Sequence, residues 1–186
     1  MLATNKLLMA SSFLTLLLAV ALVSTAVAES ATFHNPQVTT QLKEFRSTAA
    51  AMRNEADVLK SMTRNTRHSW QSHTDRLTTL KKHVNEMGKS LADLEKQQLT
   101  ATNGQALAIE QARVHLVPVA ENLTQAIDLV NERRTNVHWG EYGDAVSEIY
   151  AQADALHTKL DTFLDYEDAR LRFDRLELRP AFIVGE

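Results

Sequence analysis

The sequence predicts an all-α protein, an up-and-down antiparallel four-helix bundle, and three observations carry the prediction. From Val38 to Leu94, apolar or small residues recur at alternating spacings of four and three: Val38, Leu42, Phe45, Ala49, Met52, Ala56, Leu59, Thr63, Thr66, Trp70, His73, Leu77, Leu80, Val84, Met87, Leu91 and Leu94. That is the heptad stripe of helices that bury one face. The same spacing returns through Ile109, Ala112, Leu116, Val119, Leu123, Ile127 and Val130, and again through Tyr142, Val146, Ile149, Ala153, Leu156, Leu160 and Phe163. Finally, turn and cap residues cut the periodic region into arms of similar length, as an up-and-down bundle needs.

The chain has 186 residues, 44% hydrophobic and 23% charged, an ordinary globular composition for which one domain is expected. Residues 1–28 read as a signal peptide. Lys6 makes the start weakly positive, residues 13–23 are apolar apart from Thr15, and Ala26-Val27-Ala28 offers a small-x-small cleavage site. The alternative is an uncleaved membrane tether, because residues 7–23 give an apolar run of about 17, at the lower edge of a bilayer span. No second run of that length follows, so no stable membrane insertion is expected after cleavage. The chain contains no cysteine. An exported fold of this kind must therefore hold by its core alone, and disulfides, thiol catalysis, lipoprotein anchoring and covalent haem attachment are excluded.

Residues 29–35 form a leader ending in Asn35-Pro36, a cap followed by the residue best suited to a first helical position. The first helix is expected over 36–65 and the second over 69–98. Asn65, Thr66 and Ser69 supply cap-type residues between them without Gly or Pro. The stripe keeps its phase across this gap, which leaves open one fused helix in an elongated coiled-coil arrangement. A break is favoured because it gives arms that match the next segment in length. Leu99-Thr100-Ala101-Thr102-Asn103-Gly104 marks the clearest turn, with a third helix over 103–134 that carries Pro118 inside it, where a kink is expected. A fourth helix is expected over 139–178, closed by Pro180, with 179–186 as a tail. At that length it outruns its neighbours by roughly 15 Å, so its end either folds back, packs over the leader or projects, and Tyr166, Phe173 and Leu176 there form a candidate interaction stripe.

Charge is unevenly placed. Residues 43–89 hold ten Lys and Arg against five acids, and residues 91–186 hold nine against seventeen. Basic first and second helices beside acidic third and fourth ones would largely cancel. The functional alternative is a basic face for an anionic cell-envelope surface. A pI near 6.2 and the lack of interleaved Arg and aromatic residues argue against nucleic acid.

Few side chains suggest chemistry. His73 sits on the stripe one turn after Trp70, where a ligand to haem or metal in a bundle would be placed; the plainer role is a buried histidine bonded to a carbonyl or to Thr63 or Thr66. Met52 with His157 is the nearest approach to a Met/His haem pair, yet His157 lies one residue off the seam position Leu156 and methionines on a stripe are usually core filler. Di-iron chemistry needs two Glu-x-x-His pairs, and the sequence holds none; Asp154-x-x-His157 with Asp161 is the only similar spacing. No nucleophile elbow or phosphate-cradling loop occurs, and Asn122-Leu123-Thr124 is a sequon buried in a helical stripe. On the bundle geometry Trp70, His73, His138, Trp139 and Tyr142 share one end, as an aromatic plug or a binding patch. The expectation is an exported, non-enzymatic bundle without a cofactor, working by protein contacts in a scaffold, stress or chaperone-like role, with an unknown protein partner or by self-association in the periplasm or outside the cell. The alternatives are a haem- or metal-binding bundle and the anionic-surface binder.

Overall fold

A computed structural model describes residues 34–134, 137 and 140–177. The segments read as signal peptide (1–28), leader up to residue 33 and tail (179–186), together with His138 and Trp139, lie outside the described residues. The described chain forms four α-helices: α1 (Pro36–Thr63), α2 (Trp70–Lys96), α3 (Asn103–Glu132) and α4 (Glu141–Glu177), with a short 3-10 turn at Gln98–Thr100. Among the described residues there is no strand. Each helix packs on its chain neighbours, α4 closes the ring against α1, and α1 barely meets α3 across the diagonal. This is the four-helix bundle that the three stripes predict.

Caps explain where the chain stops being helical. The Asn35 side chain accepts from the Gln37 and Val38 amides, with Pro36 opening α1, so amides left over at the helix start are satisfied locally. The fused-helix alternative fails at Arg64–Ser69. There the chain leaves the helix at Thr63, turns, and restarts with the Ser69 hydroxyl accepting from the Ser72 amide. α3 begins with a reciprocal capping box, Thr102 Oγ1 accepting from the Gln105 amide and Gln105 Oε1 from the Thr102 amide. It then runs through Pro118 without interruption to Glu132. Gly140, at φ +67°, takes the left-handed conformation just before α4.

The core is the seam the sequence displays, with a few shifts of phase. Val38 through Leu59 on α1 and His73 through Leu94 on α2 are buried at the expected positions. Thr66, placed on the seam by spacing alone, is exposed instead, because the turn carries it off the helix axis. On α3, Ala126 is buried where Ile127 was expected, and Ile127 packs half-buried at the flank. On α4 the inward row runs Leu156, Leu160, Leu164, Glu167, so Phe163 is only half-buried and Tyr166 and Ala169 face outward. On α4 a strict 3.5-residue repeat drifts against the 3.6 residues of a straight helix, so over several turns the inward position slips by one; on α3 the buried Leu123, Ala126 and Val130 keep the regular three-four spacing from which Ile127 departs.

Two features set the orientation. Arg46 and Arg53, seven residues apart on α1, pair with Asp161 and Asp154, seven apart in the opposite sense on α4. The Asp154 carboxylate bonds the Arg53 guanidinium and holds it above its ordinary value. Lys43 with Asp168 continues the ladder at 3.1 Å. The basic and acidic halves of the sequence therefore meet along one helix pair. On the other flank of α4, His115 Nδ1 lies 2.8 Å from Gln152 Oε1 between α3 and α4.

Candidate interaction surface

Four places deserve comparison: the two ends of the bundle, the core level of Met52, and the outer face of α3 and α4. At the end formed by the α1–α2 turn, His73 is 0% exposed and its Nδ1 lies 2.9 Å from the Tyr142 hydroxyl, with the rings edge to face at 5.5 Å. The expected partners Thr63 and Thr66 are not used: Thr63 donates to the Lys60 carbonyl within its own helix, and Thr66 has left the seam. Burial pushes the Tyr142 phenol above its ordinary range, so it keeps its proton. Trp70 is half-buried against the core and carries the Arg134 guanidinium over its ring at 4.5 Å. Of the five residues expected to form a patch here, His73 and Tyr142 touch, Trp70 caps the core beside them, and His138 and Trp139 are outside the described residues. The arrangement closes the end of the core.

At mid-bundle, Met52 is wholly buried in the apolar cluster. Leu156 and Leu160 take the inward positions on α4, leaving His157 half-buried at the flank. Asp154 and Asp161, which bracket it, are engaged by Arg53 and Arg46. Among the described residues, no group of three or more His, Asp or Glu side chains is gathered as a metal site.

The opposite end holds a buried polar network that sequence reading missed. Gln105, 0% exposed, donates from Nε2 to the Asn35 carbonyl at 2.8 Å and to Thr39 Oγ1 at 2.9 Å, while its Oε1 completes the capping box. One side chain thus ties the start of α1 to the start of α3. Glu167, also buried, presents Oε2 to Arg170 Nη2 at 3.1 Å and to His34 Nδ1 at 3.5 Å. It lies beside the first turn of α3: a Cβ built on Gly104 would stand 3.5 Å from Glu167 Oε1 and 3.2 Å from the Phe163 ring. A carboxylate is favoured at a helix start, where amides point outward and the dipole is positive. The Thr-x-x-Gln signature of the capping box was available in the sequence; Glu167 gave no signal, being one more acid in a charged run.

The outer face of α3 and α4 is different in kind. Leu107 on α3 and Tyr166 on α4 are 61% and 64% exposed, and with Ala108, Gln111, Thr158, Lys159, Leu160, Thr162 and Phe163 they line an open groove of about 590 Å3. Beyond it α4 continues: Arg172 through Leu176 are exposed, and Phe173 and Leu176 stand 60% and 64% open. The whole expected stripe of Tyr166, Phe173 and Leu176 is therefore on the surface. Leu99, in the 3-10 turn at the same end, is almost fully exposed. Val58, Val114 and Val117 are the other large apolar residues exposed among those described, and all three are smaller. A second groove, of about 640 Å3, runs between α2 and α3 and is also lined by large apolar side chains, Val84, Leu91, Leu116 and Val117, but of these only Val117 is exposed. No helix among the described residues is long and apolar enough to cross a membrane. Comparison with known protein families, with curated proteins and with solved structures finds no match.

Proposed function

We propose that this chain is an exported, non-enzymatic bundle that works by protein–protein contact, in a scaffold, stress or chaperone-like role, through the outer face of α3 and the distal part of α4. The observation that carries this reading is the exposure of Leu107 and Tyr166 on an open groove, followed further along α4 by exposed Phe173 and Leu176. Large apolar side chains exposed near one another are a cost in water and mark a contact site when they persist. The signal-peptide pattern at residues 1–28 supports export. The other polar features have local duties: His73 closes an end with Tyr142, and Gln105 and Glu167 fasten helix starts.

A photo-crosslinking residue placed at Phe173 in the full chain, expressed in an exporting cell, tests the reading. Protein adducts are expected from position 173 and from 166, and none from Lys81, on the exposed polar side of α2. Equal yields at 173 and 81, or none at 173 and 166, would end it.

A further inference from the structure

We infer that the partner on this surface is a second copy of the chain, docked about a twofold axis so that the projecting end of α4 in each copy lies antiparallel along the α3/α4 groove of the other. The inference rests on the contact-surface reading above and adds the occupant and the register. Its basis is that a ridge and a groove occupy successive stretches of one helical row. Tyr166 and Phe173 are seven residues apart on α4, with Leu176 three further on, the spacing of a heptad seam. Counting back by seven from Tyr166 and from Ala169 reaches Lys159 and Thr162, which line the groove. The upper half of the row is walled by Leu107 of α3. The lower half passes the start of α3, since Gly104 already faces Phe163 and Glu167, and Arg172 through Leu176 are exposed.

An antiparallel pairing centred between Tyr166 and Ala169 sets Phe173 of one copy opposite Thr162 of the other and Leu176 opposite Lys159. The ridge of each copy thus enters the groove of its mate, and the twofold repeats the contact with nothing left over. Charge selects the same register. Asp165 and Arg172 are exposed, seven residues apart, and so lie on one flank of the row with opposite signs. Antiparallel docking about this centre brings Asp165 of each copy to Arg172 of the other, twice per dimer. An unrelated partner would have no reason to find both halves of its complement, apolar and charged, on a single chain.

The test is sedimentation equilibrium of the full-length exported chain with a charge swap. Wild type is expected to form a dimer in the micromolar range. Asp165→Arg and Arg172→Asp are each expected to weaken it by about tenfold or more, as like charges replace the pair, and the double variant to recover most of the loss. Both positions are exposed, so folding is checked by an unchanged thermal melt. A monomeric wild type throughout that range, or a double variant no better than the singles, would overturn the inference. The crosslinker at 173 separates this from failure of the broader reading. Adducts at twice the chain mass support the second copy, and adducts only to other proteins overturn it while leaving contact through this face intact. No adducts overturn both.

Discussion

The His73 and Tyr142 pair shows how much a single contact carries. Tyr142→Phe removes a hydroxyl 2.9 Å from a fully buried imidazole nitrogen, and is expected to cost about 1–3 kcal/mol in urea unfolding at neutral pH. It has a pH signature too. Burial raises the phenol in the folded chain, so above about pH 10 the unfolded chain gives up a proton that the folded chain keeps, and stability falls as pH rises. Tyr142→Phe is expected to flatten that alkaline fall; identical slopes would refute the assignment. At the other end, Gln105→Glu keeps an oxygen for the Thr102 amide but loses both donors and turns a carboxylate toward the Asn35 carbonyl, for an expected loss of about 2 kcal/mol or more. That His73 is buried was legible from its seam position. Its partner was not: the spacing suggested threonines nearby in sequence, whereas the bond made is with a residue 69 positions away, on the helix diagonally across the core, which only the assembled ring can bring within reach.

Helix identity and order were readable because burial repeats every turn, while helix ends were readable only where a side chain caps them. Asn35, which caps α1 and also donates to Thr100 Oγ1, is expected to cost about 1 kcal/mol or somewhat more on change to Ala. The break before Ser69 carried a weak signal because it uses neither Gly nor Pro, and an unbroken stripe concealed it. On α4 the spacing pointed to Phe163 and Tyr166 as successors of Leu160, yet Leu164 and Glu167 turn inward. A slip of one residue is invisible to a repeat that tolerates both threes and fours, and here it decides which side chains become surface. α4 spans 37 residues against 28, 27 and 30 in the other helices. Removing residues 172–186 is expected to leave the urea stability of the bundle within about 0.5 kcal/mol, since Arg172 through Leu176 are exposed, while abolishing contact through this end. A loss of several kcal/mol would mean that those residues belong to the fold.

For the molecule as a whole, the uneven charge of the sequence resolves into pairing: Lys43, Arg46 and Arg53 of α1 meet Asp168, Asp161 and Asp154 of α4. These exposed pairs fix which helices are neighbours more than they stabilise them. The apolar core supplies the stability, and apart from Leu99 the largest apolar side chains left exposed among the described residues lie at the α3/α4 groove and the end of α4. That surface was partly legible, since Tyr166, Phe173 and Leu176 stood out as a stripe beyond the expected bundle; Leu107 and the groove were not, because they need two helices in register. Hydrogen exchange of the amides in the last two turns of α4, in the intact chain at low and high concentration, tests the account most directly. An unpartnered, exposed helix end frays and exchanges quickly. Protection that rises with concentration in the wild type and is absent in Phe173→Asp is the predicted result; rapid exchange at every concentration, alike in both proteins, would contradict it.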